Sequence, residues 1–261
     1  MLRAMSKLLG KRALVTAGAQ GIGLAITRQL LAAGCDVFVQ YHSSEAAAKA
    51  LGPEAAKLGR RYASTRADLT TSEESNRMVA EAVKFLGGLD ILINNAGSLV
   101  GRRAFVDAED DFWAEVMSLN VGSVRRVTRA ATPHLAAAAK TGGGASVVNL
   151  SSLAARNGGS PGALAYATAK GAVLTMTRGL ARELGPQGIR VNALTPGLIL
   201  GSNFHAIHTS PESQRSIIAT IPLGRAGDVE EVARAAVYFA SEYDGFITGA
   251  GLDINGGVFG A

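Results

Sequence analysis

The sequence predicts an α/β fold, a doubly wound parallel sheet of seven strands covered by helices on both faces. Three observations carry this. Strand-like runs alternate with helix-like periods from Lys11 to the end of the chain. The strand-like runs are nearly continuous in apolar residues, as strands covered on both faces require. A glycine cluster stands between the first strand and the first helix, where such folds make a tight turn.

The elements follow in order. Lys11–Thr16 (KRALVT) reads as the first strand, and Gly21–Ala33 as a helix with an apolar face at Ile22, Ala25, Ile26 and Leu30. Asp36–Tyr41 is the second strand, Glu45–Leu58 an Ala-rich helix, and Arg61–Arg66 a weaker third strand ahead of Asp68. Ser72–Leu86 is helical and Asp90–Asn94 is a strand. A long helix is expected over Asp110–Ala139, with a kink or break near Pro133. Ala145–Ser151 is the fifth strand, Ala163–Leu184 a helix and Ile189–Leu194 the sixth strand. Asp228 is a good N-cap for a helix ending at Ala240, and Gly251–Ile254 is the seventh strand. Pro196–Ile221 lacks periodicity and reads as a lid or binding loop, about residues 197–221. No linker, repeat or composition shift divides the chain, so residues 1–261 read as one domain.

Composition narrows the function. A chain of 261 residues with 48% hydrophobic content supports one α/β domain with a large core. The net charge of +5 comes from scattered Lys and Arg, with no basic stripe interleaved with aromatics. A nucleic-acid partner is therefore not expected, whereas a mild positive field suits an anionic cofactor. The single Cys35 excludes an intrachain disulfide and fits a reducing compartment. It follows Gly34 in apolar surroundings and reads as a small buried hydrophobe. Met1–Gly10 lacks the apolar run of a signal peptide, and no stretch approaches the ~20 apolar residues of a membrane helix. The expectation is a cytoplasmic protein with no membrane partner and no metal site.

The first strand runs into Thr16-Ala17-Gly18-Ala19-Gln20-Gly21-Ile22-Gly23. Glycines there permit a tight turn and close backbone approach to a pyrophosphate, and the helix that follows offers free N–H groups and a partial positive charge. This segment resembles the glycine fingerprint of the short-chain dehydrogenase/reductase family, with Ala17 where the family has its first glycine. The resemblance covers nearly the whole chain. Asp68-Leu69 resembles the family's acidic position that contacts adenine, and Asn94-Asn95-Ala96-Gly97 its turn after the fourth strand. The resemblance implies a Rossmann-type sheet of order 3-2-1-4-5-6-7, with a nicotinamide cofactor across the carboxyl ends of the strands. Thr16, Gly18, Gln20, Gly21, Ile22, Gly23, Asp68, Leu69, Asn95, Ala96 and Gly97 would hold it.

Tyr166-Ala167-Thr168-Ala169-Lys170 puts a phenol and an ammonium on one helix face, four residues apart. A free phenol titrates near ~10 and a nearby ammonium lowers that value, so Tyr166 would exchange a proton with a substrate oxygen while Lys170 tunes it. The family's serine lies 13 or 14 residues before its tyrosine. Here Ser152 is 14 before Tyr166 and is preferred to Ser151, because neighbouring strand residues face opposite sides. Ser152 would then stabilise charge on the substrate oxygen. Asn120 matches the family's fourth catalytic position, which supports the lysine. Val191–Gly197 resembles the segment over the nicotinamide, where Pro196, Gly197 and the backbone near Ile199 would meet the cofactor together with Tyr166 and Lys170. Ser202 is expected to stand in for a family threonine. Asp253–Gly257 also matches.

The family's NAD-preferring members end the second strand with an acidic residue about 20 positions beyond the glycines. Here Tyr41 ends it, followed by His42 and Ser43, so NADP(H) is favoured over NAD(H) although the family's usual arginine is missing. The resemblance further implies a homotetramer packed through the two long helices, with a row of small residues (Ala165, Ala167, Ala169, Gly171) for close approach. The expected substrate is a small polar carbonyl or alcohol such as a sugar or polyol, because Ser202, Asn203, Phe204, His205, His208 and Thr209 occupy the lid. Arg102 and Arg103 are expected at the site entrance. The alternative is a 3-oxoacyl-[acyl-carrier-protein] reductase, disfavoured by Gln187 and Lys140 at positions the family uses to meet an acidic carrier. A cofactor-binding sensor without turnover is the non-enzyme alternative.

Overall fold

The computed structural model describes residues 8–201, 210–241 and 245–260. The lid residues Ser202–Thr209 named above lie outside the described residues. The first half of the chain contributes β1 (Arg12–Val15), α1 (Gly21–Ala32), β2 (Asp36–Tyr41), α2 (Glu45–Lys57), β3 (Tyr62–Arg66), α3 (Ser72–Leu86) and β4 (Ile91–Asn94). Next come α4 (Asp110–Met117), α5 (Ser123–Ala138), β5 (Ala145–Leu150), a short α6 (Ala154–Asn157) and α7 (Leu164–Leu184). The chain ends with β6 (Ile189–Pro196), β7 (Ile199–Leu200), α8 (Pro211–Ile218), β8 (Gly227–Asp228), α9 (Val229–Ala240) and β9 (Gly251–Ile254). Seven strands form one parallel sheet in the order β3-β2-β1-β4-β5-β6-β9, and β7 pairs separately with β8. This is the order expected, with β9 as the seventh strand.

Period-two alternation sorts the strand residues into two cores. Ala13, Val15, Val37, Val39, Ile91 and Ile93 pack toward α1, α2 and α9. Leu14, Phe38, Leu92, Val147 and Val191 pack toward α3, α5 and α7 on the other face. The ends of these helices follow side-chain chemistry. Thr71 caps α3 by accepting from the Glu74 N–H, and Asp228 and Glu231 form a reciprocal capping box on α9. Among the described residues no helix is long and apolar enough to cross a membrane.

Three expectations need correction. The long helix does not break at Pro133; α5 runs through it. The irregularity falls instead at Ser118–Gly122, a single π turn between α4 and α5. There the Asn120 side-chain amide donates to the Val116 carbonyl at 2.9 Å, competing with the helical ladder. Within the expected lid, Pro211–Ile218 is helical, with Ser210 accepting from the Ser213 N–H and Pro211 in the first turn. Finally, the row of small residues on α7 is not continuous at the surface: Ala165, Ala167 and Ala169 are buried within the chain and only Gly171 is partly exposed.

Candidate active site

The loops leaving β1, β4, β5 and β6 meet at the carboxyl end of the sheet and line one cleft. It is bounded by Gln20 and Ile22, by Asn95 and Gly97, by Ser152, Tyr166 and Lys170, and by Pro196, Gly197 and Ile199. Ala17, Leu150 and Ser151 also line it, and sequence reasoning did not place them there.

The glycine-turn end is held by side chains that bond backbone. Buried Thr16 donates to the Ile93 carbonyl at 3.3 Å and accepts from the N–H groups of Asn95 (2.9 Å) and Ala96 (3.0 Å). Its hydroxyl staples β1 to the β4 exit and does not line the cleft. Asn95 Nδ2 in turn donates to the carbonyls of Thr16 and Ala17, both at 3.2 Å. Gly18 lies so close to Thr27 that an added Cβ would stand 2.9 Å from its hydroxyl. At Gly23 a Cβ would overlap the Ala17 carbonyl, and Gly21 opens α1 with φ +50°. Ala17, which replaces a family glycine, nevertheless takes φ +48°, a left-handed conformation. The turn keeps a glycine-like shape in spite of its Cβ.

The expected adenosine contacts lie beyond the cleft lining, at the ends of β2 and β3. Tyr41 is half-buried, His42 and Ser43 are exposed, and Leu69 is buried. Asp68 is exposed and accepts from the Thr70 N–H and hydroxyl at 2.8 and 2.7 Å. Those bonds, the hydroxyl's first, hold its carboxyl below the usual range. Two residues missed in the sequence reading appear here. Arg66 pairs in register with Tyr41, and its Nε donates to the His42 carbonyl at 3.1 Å. Gln40, buried within β2, accepts from the Ala17 N–H at 2.8 Å and donates to the Ala67 carbonyl at 2.7 Å. The signal for Gln40 was an amide in an otherwise apolar strand; the signal for Arg66 was the register of two parallel strands.

At the other end of the cleft α7 presents Tyr166 and Lys170 together, the ammonium 5.6 Å from the ring centroid. Ser152 stands near enough to the Tyr166 phenol to favour its ionised form. Both serines lie past the end of β5 and both line the cleft, so strand facing does not separate them. Bonding does: Ser151 donates to the Lys170 carbonyl at 2.8 Å, while Ser152 meets Tyr166 and accepts from the Ala154 N–H at 3.1 Å. Lys170 is buried and donates to the Leu150 carbonyl at 2.9 Å. Fully buried Asn120 donates to the Ser98 carbonyl at 2.8 Å and accepts its N–H at 3.2 Å, tying the β4 exit to the π turn. Lys170 Nζ and Asn120 Oδ1 converge on Gly97, 2.9 and 2.7 Å from where a Cβ would stand.

Burial sets the proton affinities. Desolvation pushes Lys170 down to about 8. It pushes Tyr166 up to about 12, with nearby Ser152 working the other way. The expected lowering of Tyr166 by Lys170 is therefore overturned: burial of the phenol dominates and the net shift is upward. The two arginines expected at the entrance do not line the cleft itself. Arg102 donates to the Ser160 hydroxyl (2.9 Å) and the Pro161 carbonyl (3.1 Å), and Arg103 stacks over Phe112. Lys140 and Gln187 precede β5 and β6, at the pole opposite the cleft, so neither bears on what enters it within one chain.

Comparison with known proteins matches this architecture. A family profile described as enoyl-(acyl carrier protein) reductase matches residues 16–259. The 3-oxoacyl-[acyl-carrier-protein] reductase FabG of Staphylococcus aureus is 33% identical, over 95% of this chain and 98% of its own length. The crystal structure of the NADH-dependent reductase A1-R', responsible for alginate metabolism, complexed with NAD superposes with a TM-score of 0.88 at 37% identity, covering 98% of this chain and all of that one. A short-chain dehydrogenase from Burkholderia cenocepacia in complex with NADP gives a TM-score of 0.87 at 34% identity, covering 97% and 99%. The chain is thus a nicotinamide-dependent oxidoreductase and belongs to the short-chain dehydrogenase/reductase family.

Proposed function

We propose that the chain interconverts a small polar carbonyl compound, such as a sugar, and the matching alcohol or polyol, favouring NADP(H) over NAD(H). The observation that carries this is that Ser152, Tyr166, Lys170 and Gly97 line one cleft, with Lys170 and Asn120 converging on Gly97. The residues fit a dinucleotide, because Ala17, Gln20 and Ile22 of the glycine turn line the cleft at the N-terminus of α1, an end suited to a pyrophosphate. When bound, the nicotinamide supplies or accepts the hydride. The chain's own groups handle the proton. A phenol held up at about 12 is neutral at physiological pH, so Tyr166 acts as the acid toward a carbonyl oxygen. Ser152, beside that phenol in the cleft, positions the substrate oxygen and stabilises charge on it. Lys170 offers N–H donors to the cofactor ribose, and Asn120 fixes the loop against which the lysine stands.

The cofactor preference is supported by Arg66, an exposed cation beside His42 and Ser43 at the end of β2. Nearby Glu45 is neutralised by Lys49 at 2.7 Å and so repels a 2′-phosphate weakly. The substrate class is supported by the likeness to a reductase of alginate metabolism. The likeness to a 3-oxoacyl-[acyl-carrier-protein] reductase favours a second reading, an acyl thioester substrate. Self-association belongs to the first reading, as a homotetramer. β9 is a sheet edge with Leu252 exposed on it, and Phe246 beside it is fully exposed.

Steady-state turnover of sugars, polyols and an acetoacetyl thioester, with NADPH and with NADH, tests the proposal in wild type and in Tyr166→Phe. The variant is expected to keep cofactor binding and lose ~100- to 10,000-fold in kcat. Retention of half the activity would remove Tyr166 from its role. A thioester preferred by ~100-fold in kcat/KM, or ~2.7 kcal/mol, would replace the first reading by the second.

A further inference from the structure

We infer that Gln40 is a positioning residue that holds the glycine turn in its cofactor-binding shape, acting through Ala17. Ala17 has φ +48°, which any residue with a Cβ adopts unwillingly. Its own preference therefore does not keep the turn in place, and neighbouring bonds must. Gln40 grips two consecutive amides of the turn. Its side-chain oxygen accepts the Ala17 N–H at 2.8 Å, and its backbone carbonyl accepts the Gly18 N–H at 3.1 Å. Asn95 also reaches this segment, but through the carbonyls of Thr16 and Ala17 at 3.2 Å. Gln40 alone among these bonds fixes the Ala17 N–H.

The far end of the same amide donates to the Ala67 carbonyl at 2.7 Å, next to Asp68. Gln40 is thus a strut between the glycine turn and the loop after β3. A buried amide with both ends satisfied is stable in this strand; with either end removed it is costly. The strut lies far from the proton-handling groups of α7 in the chain's architecture, being carried by β2. Its effect is therefore on cofactor affinity and not on the chemical step.

The inference rests on the dinucleotide reading of the cleft. The test measures Kd for NADPH and NADH by fluorescence titration, kcat and substrate KM at saturating cofactor, and melting curves. It compares wild type, Gln40→Met, Ala17→Gly and the double variant. Gln40→Met keeps the volume and removes the amide. It is expected to raise cofactor Kd about tenfold while kcat and substrate KM move less than about threefold. With Ala17→Gly the same change is expected to cost about threefold or less, because glycine takes the left-handed shape unaided. An unchanged Kd, an equal loss in both backgrounds, or a fall in kcat with Kd preserved would overturn the strut. Gln40→Asn, one methylene too short to span both partners, serves if Gln40→Met does not fold. A wild type that binds neither cofactor defeats the dinucleotide reading; normal wild-type binding with an unaffected Gln40→Met defeats this inference alone.

Discussion

The two ends of the cleft treat polar groups in opposite ways. At the glycine turn, polar side chains are consumed by the protein. Thr16 has three backbone partners, and Asn95 and Gln40 each use their amides on backbone. What remains for a ligand there is backbone shape. At the α7 end, Lys170 is buried with three N–H donors and, among the described residues, one protein acceptor, Leu150. Tyr166 keeps its proton and Ser152 faces it. One end recognises by fit, and the other stores charge and proton capacity at some expense in stability. Changes at the two ends should therefore fail in different currencies, binding at the first and rate or pH response at the second.

A matched pair of glycine substitutions makes the sharpest break. In Gly23→Ala the new methyl overlaps the Ala17 carbonyl and presses on Asn95, so the turn must move. Overpacking of this kind costs ~1–3 kcal/mol, and cofactor Kd should rise roughly 10- to 100-fold. In Gly97→Ala the methyl meets Asn120 Oδ1 and Lys170 Nζ at 2.7 and 2.9 Å. There kcat should fall by a similar factor, with a smaller change in Kd. Equal effects on Kd and kcat at both glycines would erase the contrast.

The α7 end also predicts a pH response. Lys170 holds its proton only up to about 8 when folded, against an ordinary 10.5. Between those values the unfolded chain binds more protons, so this group makes stability rise with pH across that window. Below pH 8 the cost of burying the charge is fully present, about 3 kcal/mol in order of magnitude. Cys35, pushed up to about 12 by burial, works in the opposite sense above pH 9. The difference between wild type and Lys170→Met isolates the lysine. Without cofactor at pH 7 the variant should melt roughly 6–12 °C higher, at ~2–4 °C per kcal/mol for a chain of this size, while losing activity. That advantage should shrink steadily from pH 8 to 10.5. A variant that melts lower at pH 7, with no trend in pH, would mean that Lys170 is stabilising where it lies.

How far the sequence carries the reader differs between the same two ends. Strand positions follow from apolar runs, and the strand order and the cleft's main residues from the family resemblance carried by the glycine spacing, the Asn94–Gly97 turn and the Tyr166–Lys170 interval, all of them local signals. Strand facing does not single out Ser152, as the structure shows; it is set apart from Ser151, which is spent on the Lys170 carbonyl, by its place beside the Tyr166 phenol. The tie between Asn120 and the β4 exit was invisible because Ser98 stands 22 residues away. Gln40 and Arg66 escaped for a similar reason. Each acts across neighbouring strands, and only the parallel register places Arg66 opposite Tyr41. Ala17 shows the converse: a broken motif suggests a changed turn, yet outside bonds preserve the conformation.

Arg66 gives the smallest effect and tests whether the adenosine end is wholly a matter of backbone shape. Its Nε is fixed on the His42 carbonyl, which leaves the two terminal nitrogens as donors, and among the described residues no carboxylate stands within ion-pair distance of it, although nearby Glu45 feels its charge. A 2′-phosphate near His42 and Ser43 would meet these donors in a two-pronged arrangement. The guanidinium is exposed, so solvent and salt weaken the attraction. Arg66→Gln, which keeps a donor and removes the charge, should weaken NADP(H) binding about tenfold and change NAD(H) binding less than about twofold. The wild-type preference should also decline between low and moderate ionic strength, and that decline should be absent in the variant. Titrations with NADPH, NADH and the fragments 2′,5′-ADP and ADP distinguish the phosphate from the rest of the cofactor. If Arg66→Gln weakens all four ligands alike, the residue merely supports the loop at His42, and the adenosine end discriminates by shape alone.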